Sequence, residues 1–127
     1  MPEDDEASLK AIARRIRREN AAYEAAALRR REAALAEAAR LARAFAETDP
    51  ELRRVLLFGS LLPGREYRMD SDIDLAAEGG DIFALMAVAE SSPFQADVVE
   101  LSGLRDGLAS SVLAEGVTLY EKDAGSV

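Results

Sequence analysis

Val55-Leu-Leu-Phe-Gly59-Ser60-Leu-Leu-Pro-Gly64-Arg65-Glu-Tyr-Arg68-Met-Asp-Ser71-Asp72-Ile73-Asp74-Leu75 decides the fold. An apolar run, Val55 to Phe58, ends in a Gly-Ser turn. A short polar segment follows, and Ser71-Asp72-Ile73-Asp74-Leu75 opens a second apolar run. Aspartates at i and i+2 of a strand project from one face, because strand side chains alternate. Two carboxylates on one face suit a hard divalent cation with oxygen ligands. A Gly-Ser turn beside them offers backbone N–H groups and a hydroxyl to phosphate oxygens. The pair of features points to metal-nucleotide chemistry.

Around this stretch the pattern alternates strand and helix. Arg53 to Phe58 and Asp72 to Ala77 read as strands, with a turn at Glu78-Gly79-Gly80. Asp81 to Ser91 carries Ile82, Leu85, Met86 and Ala89 at helical spacing, and Ser92-Pro93 breaks it. Gln95 to Leu101 reads as a third strand. Ser102 is the expected cap of a helix running to about Glu115, with Leu104, Leu108, Val112 and Leu113 facing inward. Gly116 closes that helix, and Val117 to Tyr120 reads as a fourth strand. Residues 122–127 are expected to form a flexible tail.

Asp97 sits in the otherwise apolar run Ala96 to Leu101. A carboxylate there is costly unless it is paired or bound to metal. Beside Asp72 and Asp74 it completes a three-carboxylate set. Such a set can hold two Mg²⁺ ions roughly 3.5–4 Å apart for in-line phosphoryl transfer. Glu100 falls on the opposite face from Asp97 by alternation and is left out of the set.

Residues 5–47 contain no Pro or Gly and are dense in Ala, Glu, Arg and Leu, which are strong helix formers. Asp49-Pro50 ends the run. The apolar stripe divides into two seams: Leu9, Ile12, Ile16 and Tyr23, then Ala27, Ala34, Ala38, Leu41 and Phe45. Arg29-Arg30-Arg31 lies between them. The second seam is expected to pack on the domain. The first finds a partner (a second copy, another protein, or its own helix folded back) or stands as a solvated, ion-paired helix with frayed ends. The expected organisation is therefore an N-terminal helical extension over 1–47, a catalytic domain over 48–121, and a tail.

Composition narrows the chemistry. The 127 residues include no Cys and no His, which removes Cys and His nucleophiles, a Ser-His-Asp triad and Cys/His zinc sites. Disulfides are impossible, and the acidic Met-Pro-Glu-Asp-Asp-Glu start does not resemble a signal peptide. A cytoplasmic protein with no membrane span is the expectation. The formal net charge is −8, which disfavours nucleic acid as a partner. Residues 1–48 hold ten Lys/Arg and nine Asp/Glu, whereas residues 49–127 hold six and fifteen. An acidic site repels a polyanionic substrate unless metal neutralises it, so metal dependence is a physical expectation.

The ordered set Leu57-Phe58-Gly59-Ser60, Asp72-Ile73-Asp74 and Asp97 resembles the polymerase-beta-type nucleotidyltransferase superfamily. The chain is most similar to its small stand-alone branch, the minimal nucleotidyltransferases (MNT). Gly64 four residues past Ser60, Ser71 before the first Asp, and the closing Gly116-Val-Thr-Leu-Tyr120 fit the same pattern. The resemblance covers about residues 40–121 and implies an α/β (α+β) fold, a small mixed β-sheet flanked by helices. It implies that Asp72 and Asp74 bind Mg²⁺, and that Asp97 binds the catalytic metal and helps activate an acceptor hydroxyl. It assigns Gly59 and Ser60, with Ser71, to the triphosphate of ATP. Members of the branch are antitoxins that transfer AMP to a tyrosine of a helical HEPN toxin, so an AMPylating antitoxin with a HEPN-type partner is the implied role. A non-catalytic module that neutralises its partner by contact is the alternative, and transfer to a small molecule is a third. The family's usual basic residues after Gly-Ser are replaced here by Leu61-Leu62-Pro63, and the spacing to Asp72 is one residue longer. Arg65, or Arg68, is the substitute candidate for phosphate binding.

Overall fold

A computed structural model of the chain describes residues 2–123, with side chains from residue 5 onward. The expected tail therefore lies outside the described residues from position 124. Its first residue is held in place: the Lys122 N–H donates to the Arg53 carbonyl at 2.7 Å, and its Nζ donates to the Pro50 carbonyl at 3.0 Å.

Four strands and three helices follow in the order α1 (Pro2–Thr48), β1 (Leu52–Phe58), β2 (Ile73–Gly79), α2 (Ile82–Glu90), β3 (Ala96–Glu100), α3 (Asp106–Glu115) and β4 (Val117–Glu121). Single 3-10 turns occupy Gly59–Leu61 and Leu101–Gly103. The sheet order is β3-β2-β1-β4. β1 pairs antiparallel with both β2 and β4, and β2 pairs parallel with β3 through the α2 crossover. This is the mixed, helix-flanked sheet that the family resemblance implies.

Alternation along the strands builds two unequal faces. Val55 and Leu57, Ile73, Leu75 and Ala77, and Val98 point to one side. There they pack against Ala34, Ala38, Leu41 and Phe45 of α1 and against Leu85 and Ala89 of α2. The other side is thin: Leu56 and Ala76 meet Leu101 and Val112. Val112 is the buried residue of α3, whereas Leu108 and Leu113, expected inward, are about half exposed. Only one row of α3 reaches the sheet, because only the short row of Leu56 and Ala76 is there to receive it. Ser102 does not cap α3 either. It lies in the 3-10 turn, and the chain is extended at Leu104 and Arg105 before the helix starts.

α1 is one continuous helix, and its second seam is core rather than appendage: Ala34, Ala38, Leu41 and Phe45 are fully buried. Three side chains fasten it. Buried Glu37 takes both Arg40 nitrogens, at 2.6 and 2.8 Å, and also accepts the Ser92 hydroxyl at the end of α2. The Arg30 guanidinium lies 3.9 Å over the Phe94 ring. Arg31 Nη2 donates to the Leu61 carbonyl at 3.0 Å. At its far end, Asp49 Oδ2 accepts the N–H of Asp81, whose own side chain caps α2 by accepting from Phe83 N–H. Among the described residues no helix is long and apolar enough to cross a membrane.

Candidate active site

The end of β1 and the starts of β2 and β3 lie at one end of the sheet. Phe58 is paired with Asp74 in the antiparallel register, and Asp74 with Asp97 in the parallel one. Asp74 shares its face with Ala76 and Phe58, on the thinly covered side of the sheet. Asp72 falls on that side by alternation, and Asp97 does so with Val99. The sequence-derived set is thus gathered on one face at one edge of the fold.

The electrostatics agree. Asp74 is half-buried, and burial first, then the charges of Asp97 and Asp72, push its carboxyl up to about 6. Among the described residues no three carboxylates are drawn close enough to form a ready-made cation cage. The donors are hard oxygens on one face, and the charge that raises Asp74 is the charge a divalent cation would offset. The residues present fit Mg²⁺ in kind.

Gly59 is fitted to this arrangement. Its φ is +80°, and a β-carbon there would overlap the Asp74 carboxylate. Gly59 is therefore in contact range of Asp74, at the start of a 3-10 turn that continues through Ser60 and Leu61. Ser71 is a loop anchor: its Oγ accepts the Arg68 N–H at 2.9 Å. Arg65 is engaged by Glu115 of α3 at 2.5 Å, across a cleft lined by Phe58, Gly59, Leu62 and Val112. The structure therefore brings Gly59, Asp72, Asp74 and Asp97 together, with Ser60 next in the turn, and places Arg65 across a cleft from Gly59 in an ion pair.

Three features of the site were not singled out from sequence. Arg31 ties α1 to the turn at Leu61. Its only signal was the Arg29-Arg30-Arg31 interruption of the apolar stripe. Glu115 holds Arg65 over a separation of 50 residues, which no local pattern reveals. The buried Tyr67 hydroxyl, in the loop between turn and aspartates, has no hydrogen-bond partner among the described residues.

A family model described as "Polymerase beta, Nucleotidyltransferase" matches residues 41–125. The chain belongs to the polymerase beta nucleotidyltransferase family. No curated protein gave a match. Two solved structures are similar. One is a crystal structure of a toxin–antitoxin with AMP-PNP, at 25% identity and TM-score 0.54, covering 67% of this chain and 74% of that one. The other is a crystal structure of the toxin–antitoxin MntA-HpeT, a double mutant with two aspartates, two positions apart, changed to glutamate. It is 23% identical with TM-score 0.54, and the match covers 66% of this chain and 73% of that one. The match to the family model starts inside α1, at residue 41.

Proposed function

We propose that this nucleotidyltransferase moves AMP from ATP to a hydroxyl on a partner protein, in the cytoplasm, as the antitoxin of a HEPN-type toxin. The observation that carries the reading is the common face of Asp72, Asp74 and Asp97 beside the Gly59 turn. The likeness to toxin–antitoxin structures, one with AMP-PNP and one altered at an aspartate pair of the same i, i+2 spacing, supports it.

In this reading the turn N–H groups of Gly59 and Ser60 hold the β- and γ-phosphates. The acceptor oxygen bonds to the α-phosphorus as the bond to pyrophosphate breaks, and Asp97 takes the hydroxyl proton. Mg²⁺ held by the three aspartates would offset the charge of the triphosphate and of the carboxylates themselves. No covalent intermediate on the protein is needed. The chain's own contribution is position and preorganised charge.

Thermal unfolding with and without Mg-ATP tests the nucleotide site, in the wild type and in Asp72→Asn/Asp74→Asn. Ligand at about 100 times its dissociation constant adds roughly 2.7 kcal/mol, several degrees in a domain of this size. A Mg-dependent shift present in the wild type and lost in the variant supports the reading. No shift at millimolar ATP would sink it. One observation favours the contact-only alternative: the nearest basic residue after the turn, Arg65, is already taken by Glu115.

A further inference from the structure

α2 is apolar on all sides, Ile-Phe-Ala-Leu-Met-Ala-Val-Ala-Glu, yet only Leu85 and Ala89 are buried. Helices apolar all round are normally covered all round. Here Phe83 is 77% exposed, and Met86 and Ala87 lie on the same outer stripe. Between Met86 and edge strand β3 opens a cleft of about 320 Å³, lined also by Phe94, Gln95 and Asp97. The charge here is of one sign: residues 69–104 contain eight acids and no Lys or Arg, with Asp81 and Glu90 at the two ends of the stripe.

The outer half of α1 is the complement. Leu9, Ile12, Ile16 and Tyr23 are exposed. At 100° per residue they fall on the same side of the helix as the buried Ala34, Leu41 and Phe45, so one stripe runs from the core out into solvent. Residues 9–18 contain five bases and no acid: Lys10, Arg14, Arg15, Arg17 and Arg18. Lys10 and Arg15 pair within the helix with Glu6 and Glu19, at 3.5 and 3.9 Å, and both pairs are well exposed and weak. α1 runs antiparallel to β1, since Thr48 leads into Leu52 and Arg31 reaches Leu61 beyond the strand's other end. The bare half therefore overhangs the active-site end of the sheet.

We infer that this chain forms a two-fold dimer in which the basic apolar overhang of each copy covers the acidic apolar face of α2 on the other. The argument is self-complementarity. The chain carries both an apolar basic ridge and an apolar acidic face, and each lacks a cover within its own molecule. Pairing overhang with overhang is disfavoured: a seam centred on Ile16 sets Arg15 against Arg17 of the other copy. Overhang on α2 brings opposite charges together instead. A two-fold arrangement uses the contact twice, which doubles the buried surface toward the roughly 800 Å² per partner of a stable interface. The cleft beside Asp97 is then roofed by the second copy.

Sedimentation of the full chain tests this. The wild type is expected at twice its 13.7 kDa mass, with the dimer weakening as salt rises. Ile12→Glu/Ile16→Glu and Phe83→Glu/Met86→Glu are each expected to run as folded monomers with cooperative melts, their midpoints lowered only by the lost association, because all four residues are exposed. Mixing the two variants re-forms one of the two contacts, since each supplies the surface the other lacks, so the mixture is expected to dimerise more strongly than either variant alone and more weakly than the wild type. A monomeric wild type overturns the inference and hands the overhang to another protein. A dimer indifferent to either variant, or variants that do not complement on mixing, also overturns it. None of these readouts depends on nucleotide binding.

Discussion

Gly59 lies so close to Asp74 that a β-carbon on the turn would enter the space of the carboxylate. The contact joins the two halves of the motif, and the backbone at Gly59 has a φ of +80° that side chains rarely adopt. Gly59→Ala is therefore charged twice, about 1–2 kcal/mol for the left-handed backbone and a further 1–3 kcal/mol for crowding. The unfolding midpoint is expected to fall by about 10 °C, together with loss of the Mg-ATP shift. Gly64 has the same φ but nothing within 4 Å of its β-position, so Gly64→Ala carries the backbone cost alone. Calorimetry of the two variants separates the terms.

Asp74 holds a proton more tightly in the folded chain than its ordinary value of 3.8 allows, up to about 6. The folded state thus binds more protons than the unfolded state between those values. Stability of the metal-free protein is expected to fall as pH rises through that window, and to level off above it. Asp74→Asn removes the buried charge, so its metal-free midpoint above pH 6 should exceed that of the wild type while the Mg-dependent shift disappears. Melts from pH 4 to 8, with and without Mg²⁺, decide this. A wild-type midpoint that rises across the window counts against the coupling of the three aspartates.

Arg65 and Glu115 form an exposed pair, which is worth about 0.2–1 kcal/mol. If Arg65 serves the triphosphate, binding must first break that pair. Glu115→Gln is then expected to tighten Mg-ATP binding by up to about fivefold, the same energy expressed as an equilibrium constant. Arg65→Met should weaken it. Isothermal titration of both variants is the check, and indifference of both would favour the contact-only role.

Glu37 is buried at the junction of α1 with the end of α2, and the Arg40 hydrogen bonds hold its carboxyl below the usual range despite its burial. A depressed carboxylate contributes stability at neutral pH that is lost as pH falls through its folded value, below the ordinary 4.5. Glu37→Ala also strands the Ser92 hydroxyl, so a loss of about 2 kcal/mol is expected at pH 7. Chemical denaturation at pH 7 and at pH 3 measures it. The difference between wild type and variant should shrink at the lower pH.

The strands, α2 and the acidic face were legible because they rest on local patterns. Period-two alternation placed Asp72, Asp74 and Asp97, and the register put them on one side. α3 was legible in extent but not in its start or its facing. The apolar residues Leu108 and Leu113 signalled burial, but the sheet offered them only Leu56 and Ala76 to cover, and Leu104 packs there from the turn before the helix. The apparent division of the α1 stripe at Arg29-Arg30-Arg31 was a matter of chemistry, not direction. Arg30 stacks on Phe94 and Arg31 reaches Leu61, so the arginines belong to the packed side and the helix passes through unbroken. Long-range partners such as Glu115 for Arg65 follow from tertiary packing, which leaves no trace in spacing.

An unbroken α1 with no hinge also works as a ruler. Residues 5–25 extend about 30 Å at 1.5 Å per residue, from a base clamped by Glu37, Arg30 and Arg31. Anything gripped near Leu9 is kept at a set distance and bearing from the Gly59 turn. Inserting one residue before Arg29 would rotate the grip by about 100°, and inserting a full seven would restore its bearing while lengthening its reach.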